Sequence, residues 1–376
     1  MINRVEFTGL KAQSARVRAE VDSNIARILD HGQFIMGPEV RLLEERLSEY
    51  CGARNSIAVA NGTDALQIAL MAHGVGNGDL VFVPSFTYTA TAEVILVLGA
   101  TPVFVDVDPA TFNMDVIDLR AKIAQVANSG LRPAAIIAVD LFGLPADYAV
   151  LNAEADRFGL HLIADSAQSF GAETSDGRKV GTLAPVTTTS FFPAKPLGCY
   201  GDGGAMFVDD DALATKIRSI RVHGQGSAKY ETVNVGMNSR LDTLQAGVLL
   251  AKLAIFAEEV VARNALADRY ESELGGKILT PCRPQGTLSA WAQYTIRVDN
   301  RDAVQAALAK AGVPTAIYYP VPMHLQPAYV AYGEGVGSLP LSELLSAQVL
   351  SLPMSPYWTE QDVEIVCSAV LATVIH

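Results

Sequence analysis

Between residues 56 and 208, short apolar runs recur with turn residues and helix-like stretches between them. That rhythm limits the chain more than any other feature. The runs are SIAVA, LVFVP, PVFVDV, AAIIAVD, HLIAD, TTTSFF and AMFVD. A strand with one wet face alternates apolar and polar residues. AAIIAV is apolar throughout, as strands buried on both faces of a mostly parallel sheet are. Helices must then cover both faces, so the pattern predicts a three-layer α/β/α domain. Ligands of such sheets sit at the carboxyl ends of the strands.

The flanks read as follows. Val17, Val21, Ile25 and Ile28 recur at helical spacing, which predicts an amphipathic helix over 14–30. HGQFIMGPEV turns the chain, with Pro38 in the first turn of a helix that stops near Gly52. A helical stretch from 241 to 274 exceeds ordinary helix length, so it should kink or bridge two domains. Beyond Pro281 the order is strand (AQYTIRV), helix (RDAVQAALAKAG), strand (TAIYYPV), loop and helix (TEQDVEIVCSAVLATVI), a small α+β domain. The expected division is 1–255, an N-terminal arm with the large domain, and 256–376, the small domain.

Half of the 376 residues are apolar, enough for cores of that size. The net charge of −12 argues against a nucleic-acid partner, because phosphate backbones require a basic footprint. Cys51, Cys199, Cys282 and Cys367 are too scattered for a metal knuckle or redox pair, so no metal is expected. MINRVEFTGLKAQ lacks the apolar core of a secretory signal. The most apolar window, VILVLGATPVFV, is broken by Gly99 and Pro102, too soon to span a membrane. A cytoplasmic enzyme with reduced, mostly buried thiols is the expectation.

Three features carry chemistry. Asn61-Gly62-Thr63-Asp64 follows SIAVA and opens a helix. Free N–H groups and the positive helix end suit an anion there, although an ordinary N-cap looks the same. Asp165 ends HLIAD, with Gln168 three residues on. A carboxylate at a buried strand end calls for a cation, unless it caps the next helix. The third and most specific is SFFPAKPLGCYGDGGA, residues 190–205, with one lysine, Lys195, in a loop rich in glycine and proline. Desolvation beside an apolar strand favours the neutral amine, a nucleophile toward an aldehyde.

These features in this order resemble the DegT/StrS family of nucleotide-sugar aminotransferases. The likeness runs through FIMGPEV, ANGTDALQIAL, PSFTYTATAE, TPVFVDVDPATFNMD, VGMNSRLDTLQA and PMHLQPAY. It implies fold type I of the pyridoxal-phosphate-dependent transferases, with pyridoxal 5'-phosphate as cofactor and a homodimer sharing its active sites. It further implies that Lys195 carries the cofactor and moves the proton, and that Asp165 pairs with the ring nitrogen. Gln168 lies beside the ring hydroxyl, Gly62, Thr63 and Ser190 touch the phosphate, and Tyr88 stacks on the ring. Asn238 reaches the phosphate, and Arg240 the substrate, from the second subunit. Tyr318, Tyr319 and His324 are the remaining expected substrate contacts. The lysine loop and HGQFIMGPEV look most like the branch that aminates carbon 3 of a UDP-linked 3-keto-glucuronic acid. That branch takes its amino group from glutamate and serves bacterial surface polysaccharides. Tyr318 stands where that branch carries a histidine, and Ala164 and Ser166 depart from the usual neighbours of Asp165. A 4-keto-6-deoxy sugar, or another 3-keto sugar, on dTDP or UDP is therefore the alternative acceptor.

One argument is independent of that likeness. Aminotransferases for amino acids hold the α-carboxylate with an arginine of the small domain, and here no arginine follows Arg301. A keto sugar fits better than a second keto acid. Arg240 and the stretch Arg218, Arg221, His223 are the candidate cations. A sugar dehydratase of the family would carry histidine at position 195, and a cysteine desulfurase needs a cysteine in a flexible loop. A non-catalytic regulator on the same fold would have no need of Lys195, Asp165 and Gln168 together.

Overall fold

The computed structural model describes residues 5–228 and 230–374. Helix α1 (Leu10–His31) ends where Gly32, at φ 68°, donates its N–H to Ile28 O. Helix α2 (Pro38–Cys51) starts on its proline and stops at Gly52, also left-handed. Proline lacks the N–H a first helical turn leaves unpaired, and glycine takes the left-handed cap without a Cβ penalty.

The alternating region then folds as β1 (Asn55–Val59), α3 (Gly62–Ala72), β2 (Asp79–Pro84), α4 (Ala90–Val97), β3 (Thr101–Val105) and α5 (Val116–Val126). It continues as β4 (Arg132–Val139), α6 (Tyr148–Phe158), β5 (His161–Asp165), β6 (Val186–Ser190), β7 (Gly204–Val208) and α7 (Asp211–Arg221). All seven apolar runs are strands of one sheet, in the order β1-β7-β6-β5-β4-β2-β3. Only β7 runs against its neighbours. Strand alternation sends Val81 and Val83 to one face, under α3, α4 and α7, and Phe82 to the other, under α5 and α6. That confirms the three layers and explains the runs of unbroken apolar residues.

Helix α8 (Thr243–Leu274) is a single helix of 32 residues. Ala246, Leu249, Phe256 and Val260 pack with α2 and the sheet. Leu266, Ala267, Tyr270 and Leu274 join a separate apolar cluster. The helix therefore bridges two cores, as its length required. The second core is built on β8 (Tyr294–Arg297), α9 (Arg301–Lys310), β9 (Val349–Leu352) and α11 (Glu360–Val374), while α10 (Pro340–Gln348) packs Leu345 against Phe86 and Phe142 instead. Val5, from the start of the chain, packs into it as well.

TAIYYPV is not a strand; Ala316 makes one isolated bridge to Ser351 and the chain then leaves the sheet. The partner of β8 is β9, antiparallel, with Tyr294 opposite Leu352. The thiols of Cys51, Cys199 and Cys367 are buried, whereas Cys282 is exposed. Among the described residues no helix is long and apolar enough to cross a membrane.

Candidate active site

The carboxyl ends of β4, β5 and β6 open onto a cleft of about 650 Å³. Asp165 closes β5, in register with Val139 of β4 and Thr188 of β6. Its side chain is buried yet lines the cleft. Thr91 Oγ1 donates to Asp165 Oδ2 at 2.9 Å, and the Ala167 N–H donates to Oδ1 at 3.3 Å. Burial pushes the Asp165 carboxyl above the usual range, and the Thr91 hydrogen bond offsets part of that.

Lys195 stands across the same cleft. Its loop closes on itself through Lys195 N–H to Phe192 O and Cys199 N–H to Phe191 O, each 2.8 Å. Lys252, buried on α8, holds the loop from behind by donating to Gly198 O at 2.6 Å. Desolvation pulls the Lys195 amine below an ordinary lysine, with the Asp165 carboxylate opposing. More of the amine is therefore neutral and nucleophilic.

The first turn of α3 forms a cradle against β6. Asn61 caps the helix by accepting from the Asp64 N–H at 2.7 Å. The N–H groups of Gly62 and Thr63, unpaired in a first turn, make no hydrogen bond among the described residues. A Cβ on Gly62 would stand 2.7 Å from Ser190 Cβ, and one on Gly204 would stand 2.6 Å from the Asn61 carbonyl. Glycine at both positions lets the helix end close on the Ser190 hydroxyl. Two free N–H groups, a hydroxyl and a positive helix end make a site suited to an anion such as phosphate.

Gln168 sits on the turn after Asp165, its Oε1 accepting from the Phe142 N–H at 2.7 Å and its Nε2 donating to Tyr319 OH at 3.3 Å. Tyr318 and Tyr319 line the opposite wall, and burial raises both phenols. Tyr88 lines the mouth, 56% exposed, its ring centroid 6.2 Å from that of Tyr319. An aromatic surface this open is available to a planar ring. The sequence reading missed Thr91, although it lies in PSFTYTATAE, and Gln293, which lines the cleft. It also missed Asp140, whose only signal was its place at the end of the AAIIAVD run.

Three expectations change. His324 is not in this cleft. It is fully buried, with Nδ1 2.7 Å from Ser85 Oγ and Nε2 3.2 Å from Glu343 Oε1, so both ring nitrogens are engaged internally. Arg221 is buried and donates to Glu44 Oε1 at 2.6 Å and Ala58 O at 2.8 Å, which neutralises it as an anion clamp. Arg218 donates to Asn55 Oδ1 at 3.2 Å, also away from the cleft. Asn238 and Arg240 do not line the cleft of their own chain. Among the described residues, Lys195 is the one cation lining it, beside the carboxylates of Asp64, Asp165 and Asp202.

Residues 16–371 match the DegT/DnrJ/EryC1/StrS aminotransferase family. The chain belongs to this family. It is 50% identical over 366 residues to the UDP-2-acetamido-2-deoxy-3-oxo-D-glucuronate aminotransferase of Pseudomonas aeruginosa, covering 97% of this chain and 99% of that protein. It is 41% identical to the dTDP-3-amino-3,4,6-trideoxy-alpha-D-glucose transaminase of Streptomyces venezuelae, over 94% of this chain and 92% of that one. The crystal structure of a DegT DnrJ EryC1 StrS aminotransferase from Brucella abortus superposes with a TM-score of 0.96 at 49% identity, covering 98% of this chain and 99% of that one. The protein is an aminotransferase of fold type I and its cofactor is pyridoxal 5'-phosphate. The cleft fits that group: an anion cradle, a buried carboxylate and a lysine with a depressed amine all line it.

Proposed function

We propose that this aminotransferase carries an amino group from glutamate to carbon 3 of a UDP-linked 2-acetamido-3-keto uronic acid. On this reading it works in the cytoplasm, on the way to a bacterial surface polysaccharide. The observation that carries the acceptor is the 50% identity, end to end, with the Pseudomonas aeruginosa enzyme of that name. The absence of arginine after Arg301 supports it, because an amino-acid pair would need that clamp.

When bound, pyridoxal phosphate supplies the electron sink for the bond broken at the donor carbon. The rest falls to this chain. Lys195 would hold the cofactor, and its Nζ is the group that would move the proton at the donor carbon. Asp165 keeps the ring nitrogen protonated, and Gln168 hydrogen-bonds beside the ring hydroxyl. The N–H groups of Gly62 and Thr63 and the Ser190 hydroxyl hold the phosphate. Tyr88 covers the ring face, and Tyr318 and Tyr319 bound the sugar.

The working unit is a homodimer, with Asn238 and Arg240 of the second subunit completing each site. Two observations support that. Lys195 is the single cation among the described residues lining the cleft, too few for a nucleotide diphosphate. Phe34, Ile35 and Met36 are 39–46% exposed and lie beside Asp242 and Thr243, through the Thr243 N–H to Phe34 O hydrogen bond of 2.9 Å. An apolar run in the open next to Arg240 suits a buried contact.

Tyr318, on the cleft wall in place of the branch's histidine, favours the second reading, a 4-keto-6-deoxy sugar on UDP or dTDP. The deciding measurement is kcat/KM for the 3-keto uronate against the 4-keto-6-deoxy sugar at fixed glutamate. Preference for the uronate is expected; preference for the 4-keto sugar overturns the assignment.

A further inference from the structure

A second buried carboxylate stands next to Asp165. Asp140 follows β4, is completely buried, and donates its own N–H to Asp165 O at 3.0 Å. Its Oδ2 accepts from Ser166 Oγ at 2.7 Å and Ser169 Oγ at 2.6 Å. Its Oδ1 accepts from Tyr148 OH at 2.7 Å and the Ala146 N–H at 2.9 Å. Among the described residues it forms no ion pair. Ser166 and Ser169 bracket the turn that carries Ala167, a donor to Asp165, and Gln168. Phe142, two residues after Asp140, gives its N–H to Gln168 Oε1. The ends of β4 and β5 are thus laced together so that Asp165 and Gln168 both face the cleft.

Hydrogen bonding alone does not require a carboxylate here. An asparagine would accept from Ala146 and Tyr148 with its oxygen and donate to the two serine hydroxyls, which can rotate to accept. What the carboxylate adds is charge, in a place where burial opposes it and lifts its carboxyl to about 6. Tyr148 on α6 is hydrogen-bonded to it, and that same phenol also senses the Asp165 carboxylate on β5. Two buried carboxylates on adjacent strand ends call for a positive charge between them and the cleft. The Lys195 amine, depressed by desolvation, is poorly suited to supply it.

We propose that Asp140 is a positioning residue whose negative charge, acting through Asp165, holds the cofactor's ring nitrogen protonated. This rests on the pairing of Asp165 with that nitrogen. Like charge behind Asp165 makes loss of the ring proton less favourable, and the serine contacts keep Asp165 aimed at it.

The test uses the holoenzyme loaded with cofactor carrying 15N in the ring. The ring nitrogen's chemical shift is followed from pH 6 to 9 in wild type, Asp140→Asn and Asp165→Asn. In Asp140→Asn the ring proton should be lost at a pH at least one unit below wild type, a tenfold weaker hold. Asp140→Ser, smaller and equally neutral, should shift the same way and serves if the amide variant does not fold. A double Ser166→Ala, Ser169→Ala variant keeps the charge and should stay closer to wild type than Asp140→Asn. A ring nitrogen that remains protonated in both neutral variants as in wild type overturns the proposal. If Asp165→Asn also leaves the nitrogen unchanged, it is the Asp165 pairing itself that fails, and the two failures are told apart.

Discussion

Gly62→Ala tests the cradle with one methyl group. The added Cβ would stand 2.7 Å from Ser190 Cβ, and 3.3 Å from both its Cα and its Oγ. Carbon atoms rest at about 3.5–4.0 Å, so α3 and β6 must part by about 1 Å or bear the strain. Overpacking of that size costs about 1–3 kcal/mol. The cost divides between two readouts. If the cofactor-free protein keeps its geometry, the loss is in its melting temperature. If α3 relaxes away from Ser190, the anion cradle opens and the loss is in cofactor affinity, up to about 5- to 150-fold at 1.4 kcal/mol per decade. Absorbance titration of the cofactor-free protein and its thermal melt together measure the whole. Ser190→Gly in the Gly62→Ala background removes the clashing Cβ. It should restore the melt but not the affinity, because the hydroxyl is gone too. A Gly62→Ala protein unchanged in both readouts, or a double variant with no recovered stability, would refute the reasoning.

Lys195→Ala should stay folded and lose the cofactor that borohydride fixes to the protein; a remaining covalent adduct by mass would remove Lys195 from its role. Asp165→Asn should bind cofactor but lose at least about a hundredfold in kcat, or about 2.7 kcal/mol of transition-state stabilisation; a near-normal kcat would count against it. Mixing inactive Lys195→Ala and Arg240→Ala subunits should restore some activity through hybrid sites, and none after proven exchange would exclude a shared site. Asp140 gives a pH signature in stability. Its carboxyl lies at about 6 in the fold against a reference value of 3.8. A raised carboxyl favours the fold while protonated, and that advantage disappears as pH rises from about 4 to 6, by about 3 kcal/mol. Asp140→Asn should therefore melt higher than wild type at pH 8, with the gap closing near pH 4; a lower melt at pH 8 would reverse the sign.

The sheet was legible because burial on both faces leaves a mark that does not depend on contacts. Seven runs without polar alternation became seven strands, and their carboxyl ends carry Asp140, Asp165 and Ser190. The lysine loop was legible because one lysine among glycines and prolines has few structural reasons to be there. What failed lay where tertiary context decides. TAIYYPV has strand composition, but after the Ala316 bridge the chain turns Tyr318 and Tyr319 onto the cleft wall. The true partner strand, Val349–Leu352, is four residues long and follows α10 with no turn residue between. His324 was expected as a substrate contact from the resemblance that runs through PMHLQPAY. Ser85 and Glu343, distant in sequence, engage both of its nitrogens. Arg221 was misread for the same reason, since its pairing with Glu44 spans 177 positions.

The charge arrangement ties assembly to chemistry. This chain carries −12 overall, and its cleft holds three carboxylates against one lysine that works best when neutral. Its own provision for anions is backbone, the free N–H groups of α3, which suits one phosphate and fixes it without adding a mobile charge. On the proposed reading a nucleotide diphosphate and a dicarboxylate donor need more than that, and the cations that looked available in the sequence are committed elsewhere, Arg221 to Glu44 and Arg218 to Asn55. Arg240 is different. It is only half-buried, it lies outside its own cleft, and it sits beside the exposed Phe34–Met36 run. On the proposed reading, burying that run against a second copy is the step that delivers Arg240 to a neighbouring cleft. A monomer would then keep its own α3 cradle, short of the Asn238 contact, while losing its grip on anionic substrates. Dilution should therefore raise KM for both substrates before it releases cofactor.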